Sequence, residues 1–424
     1  MSRSATPVRK ETAYLSLSAR ILLNAEALNM AETIGNVSRH RKAPVVLVKG
    51  DTTSILYVPA ISGESIAHHY QRILANIANS RGLPVTTMDL KGYFLKYADS
   101  DIIDRYYSEI SKKYGDIARE IKDLTKKLEG RKEEKSKEEQ EKTKKGGKKS
   151  NEEIKLREQL EAKICEAEKI LVYNSVVADI GGFLNTDLLL KRTSRVRFGY
   201  MLPTIDSLLQ GAVATYPQLH TRYSPRPERE EQALYYVETS SALYALSATL
   251  NASDIGELEY CKESSESKPI CEETPSDDNL ANKLMCEKEE RVKVAVDAII
   301  ALLDGAAFGA KRSRFNPVWE VESIVVSVSK GPVEFNVSPA TMREYIKETE
   351  LRANSLKNVF GNELEIHVFC YSRNGECKDS KESTEQSATN KDSNKVKVIP
   401  ALSHTDALIK AKTKLLNMLF PKSG

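Results

Sequence analysis

Apolar and polar positions alternate along residues 12–23, "TAYLSLSARILL", at the period of a strand. A polar stretch and "APVVLV" follow. "SILYVPAISGESIAHHYQRILANIAN" then changes period. An apolar strand ends at Pro59, Ser62 is placed to cap, Gly63 permits a tight start, and a helix runs from about Glu64. In residues 103–128 the apolar positions recur every three or four: Tyr107, Ile110, Tyr114, Ile117, Ile121, Leu124 and Leu128. That is a seam of a and d positions. The spacing returns at Leu160, Ile164, Ala167 and Leu171. Between them, residues 131–150 carry 14 charges in 20 positions and no apolar residue, so this stretch cannot bury a face. The pattern predicts an antiparallel helical hairpin with a mobile tip, inserted into the main fold.

Beyond it, "QALYYVETSSALYALSATL" predicts one strand or two, rich in tyrosine. Residues 251–289 are polar and acidic and read as a second insertion. The apolar helix "VKVAVDAIIALLD" leads through a glycine turn to the strand "NPVWEVESIVVSVSK". A helix over about 340–358, a strand "ELEIHVFCY", a polar loop over 373–394, a short strand "KVKVIP" and an amphipathic helix over 404–419 complete the chain. Strands and helices do not alternate regularly, so the pattern predicts an α+β fold on an antiparallel sheet.

The 424 residues suffice for one large domain or two ordinary ones, and a hydrophobic fraction of 40% supplies a core. The net charge is +3, from 63 basic and 60 acidic residues, so clustering of cations, not their total, decides whether nucleic acid is a partner. No N-terminal run reads as a signal peptide, and no apolar stretch reaches the roughly 18 residues that cross a membrane, so a cytoplasmic protein is expected. The six cysteines form no C-x-x-C pair, which argues against zinc. They read as packed thiols, with a disulfide among Cys261, Cys271 and Cys286 left open. The neighbouring His68 and His69 point about 100° apart on a helix, so they cannot chelate one metal together.

The cations do cluster. Arg39, His40, Arg41 and Lys42 form one group; Lys191, Arg192, Arg195 and Arg197 a second; Arg222, Arg226 and Arg229 a third; and Lys311, Arg312 and Arg314 a fourth. The fourth lies in "GAAFGAKRSRF", residues 305–315, on a glycine turn between helix and strand. It is not a nucleotide loop. Gly305 and Gly309 are one residue too close for G-x-x-x-x-G-K-[ST], and the order is helix, loop, strand. Glycine instead lets backbone approach a ligand, and arginine forks onto phosphate oxygens. Cations interleaved with aromatics suit a single-stranded nucleic acid tracked by its phosphates. No RNP-type strand is present, so bases are not read in the ordinary way.

"LSLSARILLNAEALNMAETIGNVSRHRKAP" followed by "VPAISGESIAHHYQ" resembles the opening of the archaeal DevR-like CRISPR-associated autoregulator family. "GGFLNTDLLLKRTSRVRFGYMLP" and the "GAAFGAKRSRF" turn look like the same family further along. The likeness covers nearly all the chain outside the insertions. Members of that family are backbone subunits of type I-A Cascade, the CRISPR interference complex. The resemblance implies a modified ferredoxin-like (RRM-like) palm. Residues 1–85 would begin it, 86–180 would be an inserted helical finger with a disordered tip near 129–152, and 181–250 would be palm strands and a thumb-like arm. Residues 251–289 would be the polar insertion, and 290–424 the rest of the palm with the C-terminal helix. It implies that copies stack head to tail along CRISPR RNA, beside other Cascade subunits. The guide would be held by its backbone, because spacers vary, and target DNA would be met only through the guide. RNA contact is implied for Asn24, Asn29, Arg39, His40, Arg41, Ser62, Gly63, Ser65 and His68. It is also implied for Lys191, Arg192, Arg195, Arg197, Arg222, Lys311, Arg312 and Arg314. Neither cofactor nor metal is implied.

Two other readings stay open. Related type III backbone subunits cut target RNA with an aspartate in the loop after the first strand. Here that loop offers only Glu26 and Glu32, with no aspartate before Asp51. Metal-assisted cleavage wants several carboxylates around a hydrated cation. An autoregulator that binds duplex DNA would need a basic recognition helix, and no helix-turn-helix pattern is visible. The expectation is a subunit without catalysis.

Overall fold

A computed structural model describes residues 12–97, 100–110, 112–141, 151–186, 188–222, 233–261, 280–305, 309, 312–377 and 395–421. The chain divides into two compact units. One comprises residues 1–73, 196–253 and 296–424; the other comprises 74–195 and 254–295.

The first unit is built on a large sheet. Strand β1 (Thr12–Glu26) lies at its centre, antiparallel to β11 (Ala233–Asn251) and to β12 (Val318–Gly331). Beyond β12 come β13 (Glu365–Ser372), antiparallel, and β14 (Val398–Pro400), parallel. Beyond β11 come β3 (Val37–His40), parallel, and β2 (Met30–Ile34), antiparallel to β3. β8 (Val196–Phe198), β9 (Leu202–Pro203) and β10 (Ala214–Arg222) also pair with β11. The sheet is therefore mixed, not purely antiparallel as the pattern suggested. Alternation along one strand reports which face is buried, not which neighbour it meets or in which direction. The tyrosine-rich segment is a single 19-residue strand. β4 (Lys42–Lys49) and β5 (Thr52–Pro59) form a separate hairpin.

Both faces of β1 are covered. Leu15, Leu17, Ala19, Ile21 and Leu23 are buried on one face. On that side α11 (His404–Leu419) packs against β12, β13 and β1. Its buried positions Ala407, Leu408, Ala411, Leu415 and Met418 keep helical spacing, and Ser403 caps it by accepting from Asp406 N at 3.0 Å. The polar positions of β1 are buried as well. Ser16 and Ser18 accept from the backbone N–H groups of Val337 and Ala340 at 3.2 and 2.8 Å. Arg20 pairs with Asp206 at 2.6 Å and Glu322 at 3.1 Å. The segment that bonds the serines, with α10 (Tyr345–Phe360), forms a second apolar cluster around Phe335, Tyr345, Ile366 and Val368. Each such buried aliphatic or aromatic side chain contributes about 1.5–3 kcal/mol.

The second unit is mostly helical: α2 (Thr87–Lys91), α3 (Ser100–Ile110), α4 (Lys112–Glu141), α5 (Asn151–Asn174) and α6 (Val176–Gly181). It adds the two-stranded β6 (Phe183–Asn185) and β7 (Leu190–Arg192). The chain passes between the units within α1 (Gly63–Ser80) and α8 (Leu280–Leu303). Tyr114, Ile117 and Ile121 of α4 share one core with Leu160, Ile164, Ala167 and Leu171 of α5, so the seam positions are the packed ones. α4 continues as helix to Glu141, into the stretch whose composition suggested a mobile tip. Lys and Glu are good helix formers and need no buried face to extend an existing helix. The rest of that stretch, 142–150, lies outside the described residues. α8 begins at Leu280, ahead of the apolar run starting at Val292, and so inside the 251–289 segment. Most of the remainder of that segment lies outside the described residues.

The cysteines correct the reading of packed thiols. Cys165 on α5 is bonded to Cys261, and Cys370 on β13 to Cys377. Pairing across 96 residues depends on α5 meeting the segment that follows β11, and cysteine spacing carries no such information. Disulfides also occur inside cells in hyperthermophiles.

Candidate nucleic-acid interface

The glycine turn is anchored on three sides. At its start, Trp319 Nε1 donates to Leu303 O at 3.0 Å, tying the end of α8 to β12. At its centre, Gly309 has φ +108°, and a Cβ there would lie 2.2 Å from Leu28 Cδ2 and 2.9 Å from Leu28 Cβ. Only glycine fits that conformation and that approach. Gly309 N–H donates to His69 Nε2 at 3.1 Å, and the opposite ring nitrogen, Nδ1, lies 2.7 Å from Ser65 O. At its end, α9 (Arg312–Phe315) is one helical turn before β12. Arg314 lies over the Tyr235 ring, 5.2 Å from the centroid, and donates to the Tyr235 hydroxyl. His220 of β10 stacks on Tyr235 with centroids 5.4 Å apart, and Phe315 meets His220 edge-on at 5.4 Å. Two strands and the turn thus gather a cation and three rings.

Beside it, the loop after β1, the β3–β4 junction and the start of α1 are joined by hydrogen bonds. Ser62 Oγ accepts from Ser65 N at 3.2 Å and so caps α1. Asn29 Nδ2 donates to the same Oγ at 3.4 Å, and Asn29 Oδ1 accepts from Arg41 Nε at 2.7 Å. A Cβ on Gly63 would lie 2.2 Å from Phe198 O, so the helix can start this close to β8 only with glycine. The chain of contacts runs from Gly309 through His69, Ser65, Ser62 and Asn29 to Arg41. Arg41 is half-buried, and among the described residues neither it nor Arg314 forms an ion pair. A cation without a carboxylate partner, next to the positive end of an 18-residue helix, is arranged to receive an anion.

The other expected residues divide by environment. Arg39 is exposed and 3.9 Å from Glu32; Arg197 is exposed and 3.5 Å from Glu334. Lys191 is exposed, with its backbone N–H on Tyr260 Oη at 3.3 Å. Asn24 is exposed and lines a shallow pocket of about 300 Å³ with Ser207 and Ser241. His68 is half-buried beside His69. Burial lowers its pKa, Arg72 adds to this, and Glu64 opposes it, so the ring is neutral near pH 7. Arg222 ends β10 and Arg312 opens α9. Lys311, Arg226 and Arg229 lie outside the described residues.

Three expected contacts are corrected. The Arg192 side chain is wholly buried, pairing with Asp179 and with Glu168 at 3.2 Å. Arg291 reaches the same Asp179 at 3.0 Å. Arg195 is buried on Glu259 at 2.9 Å, and burial, then the Arg192 charge, lowers its pKa. Both arginines hold the second unit together instead of facing a ligand. Their spacing in "KRTSRVR" does not reveal this, because their carboxylate partners are distant in sequence. His40 is likewise buried, 2.6 Å from Glu26 Oε1, with Nδ1 2.9 Å from Arg41 O. Glu26 also accepts from Tyr244 Oη at 2.9 Å and from Leu28 N at 2.8 Å. The carboxylate weighed for cleavage thus has a structural commitment, and Glu32 lies on the surface. Among the described residues no group of three or more His, Cys, Asp or Glu is placed to hold a metal ion, and no helix is long and apolar enough to cross a membrane.

Sequence reasoning missed His69, Tyr235, His220 and Phe315. The tyrosine-rich strand was the available signal for Tyr235; the others gain meaning only from the turn packed on them.

A family model described as CRISPR-associated negative auto-regulator DevR/Csa2 matches residues 17–123 and 117–350. A Saccharolobus solfataricus protein named CRISPR-associated protein Cas7/Csa2 1 is 31% identical over 341 residues, covering 78% of this chain and 84% of that protein. A second from the same organism, named CRISPR-associated aCascade subunit Cas7/Csa2 2, is 32% identical over 353 residues, covering 82% and 89%. A chain of a solved CRISPR RNA-guided surveillance complex, pre-nicking, aligns over 96% of this chain and all of that one, at 9% identity and a TM-score of 0.41. The chain therefore belongs to the DevR/Csa2 family and is a Cas7-type CRISPR-associated subunit.

Proposed function

We propose that this chain is a non-catalytic backbone subunit of a Cascade interference complex. Copies of it line up head to tail along CRISPR RNA, grip the guide by its phosphates and leave its bases to pair with target DNA. Family membership supports the Cascade assignment, as does the relative described as an aCascade subunit. The observation that carries the RNA reading is the continuous set from Arg41 through the start of α1 to Gly309, beside Arg314 on Tyr235. It offers cations without carboxylate partners, a helix N-terminus and ring faces, which suit a single strand of any sequence. In this reading the sheet unit is the modified ferredoxin-like palm, the α4–α5 pair the finger, and the β10–β11 hairpin the thumb-like arm. The burial of Glu26 on His40 supports the absence of cleavage chemistry at the loop after β1.

The test is to purify the protein and ask whether RNA containing CRISPR repeat comes with it, then to bind unrelated spacers across a salt series. Affinity should fall steeply with salt and vary little with spacer. A strong preference for one spacer at constant length overturns the backbone grip. Metal-dependent cutting of RNA complementary to a bound guide favours the type III-like reading.

A further inference from the structure

Two hydrogen bonds of His69 define its protonation state. Its Nδ1 lies 2.7 Å from Ser65 O. A carbonyl oxygen only accepts, so Nδ1 carries the proton. Its Nε2 receives the Gly309 N–H at 3.1 Å. A backbone amide only donates, so Nε2 must be bare. Both bonds exist together only in the neutral Nδ1–H tautomer. A second proton on Nε2 would set N–H against N–H where Gly309 meets α1.

The turn cannot compensate easily. Gly309 is wedged against Leu28 with no room for a Cβ. Leu28 is itself held by its N–H on Glu26. Among the described residues, the charged groups on these elements include Glu64 and Arg72 on α1, Glu26, which accepts from the Leu28 N–H, and Arg314 of α9. His68 is the titratable neighbour, with its ring 5.4 Å from that of His69.

We propose that His69 is a positioning residue that holds Gly309, and through it Arg314, in the RNA-gripping arrangement only while neutral, so that mild acid frees Gly309 and loosens the guide. The inference rests on the RNA-binding reading above. His69 touches the Gly309 backbone, not the ligand; it acts through the placement of Arg314.

The experiment uses the full chain, His69→Gln and His69→Ala, with thermal melts to confirm that each folds. Gln keeps an acceptor for the Gly309 amide but does not titrate; Ala keeps neither. Binding of a fluorescein-labelled single-stranded RNA is followed by anisotropy at fixed salt from about pH 8 to about pH 5.5, across the ordinary histidine range. Wild type should lose affinity about tenfold on acidification, as expected for one lost and one opposed hydrogen bond. His69→Gln should give a flat profile near the wild-type value at high pH. His69→Ala should be weak throughout. A His69→Gln profile that falls like wild type, or a His69→Ala protein that binds like wild type at high pH, overturns the proposal.

A second readout needs no RNA. The protection factor of the Gly309 amide against hydrogen exchange should drop on acidification in wild type and stay constant in His69→Gln. If wild type binds no RNA at any pH, the RNA reading fails, and this readout still decides whether His69 latches the turn. Unchanged Gly309 protection in His69→Ala removes the latch itself.

Discussion

Gly309→Ala measures how closely the turn is fitted. The new methyl group would sit inside Leu28 at 2.2 Å, on a backbone with φ +108°. Either the turn or Leu28 must move. We expect binding of single-stranded RNA to weaken at least tenfold, with a melting temperature within a few degrees of wild type, because the strain is confined to one backbone position and its contact with Leu28. RNA affinity equal to wild type would show that the grip does not depend on this geometry. A second residue-scale prediction concerns His40. Burial works against its charge, but Glu26, the Arg41 carbonyl and Glu238 outweigh it and raise its pKa. A raised histidine pKa contributes stability that is complete below the ordinary value, about 6.5. That stability is lost as pH rises through the folded value. His40→Gln should therefore destabilise most near pH 6, by about 3 kcal/mol for a broken buried pair, and less at about pH 9. Denaturant melts at the two values check it. A larger cost at the alkaline end would contradict the assignment of charge.

At the scale of elements, the helical pair is the part most fully written in the sequence. The seam residues Tyr114, Ile117 and Ile121 are its buried positions, and they meet the Leu160–Leu171 positions of α5. Ile117→Asp places an unpaired carboxylate in that core and should cost roughly 3–5 kcal/mol. Loss of helical signal at lower temperature in a melt would report it; a wild-type melt would show that the seam is not the pair's main support. Arg192 and Arg195 show the opposite case. A run of cations reads as a surface, yet two of its members close a buried network with Asp179, Glu168 and Glu259. Glu168 also accepts from the backbone N–H groups of Glu259 and Tyr260 at 2.7 and 2.9 Å. Removing Asp179 would take from the buried Arg192 and Arg291 the carboxylate they share, leaving Arg192 on Glu168 and Arg291 on Glu287.

For the whole molecule, the grip predicts a salt signature. Replacing Lys311, Arg312 and Arg314 with alanine should weaken guide binding by a few kcal/mol, at roughly 1 kcal/mol or more for each charge-assisted contact. The fold should survive, since Arg314 is exposed and surface cations contribute little to stability. The slope of log affinity against log salt should flatten by up to about one unit per lost phosphate contact. Weaker binding with an unchanged slope would point to stacking between copies; unchanged binding would move the grip to Arg41 and the start of α1.

The sequence by itself determined the local elements. It carried the strand at 12–23, the capped helix beginning at Ser62 and Gly63, the seam of α4 and α5, and the amphipathic C-terminal helix. Each follows from a periodicity or a cap, which are properties of neighbours in the chain. It also located the glycine turn and the family. Tertiary structure alone decided the mixed order of the sheet, the burial of Ser16, Ser18 and Arg20, and the pairing of Cys165 with Cys261 and of Cys370 with Cys377. It also decided which cations are spent on carboxylates and which stand without them. Those outcomes depend on partners from distant parts of the chain: Asp179 with Arg192 and Arg291, Glu26 with His40, Gly309 with His69. Charge and hydrogen bonding act through space, so a residue's type names what it can do, and only the fold supplies the group it does it to.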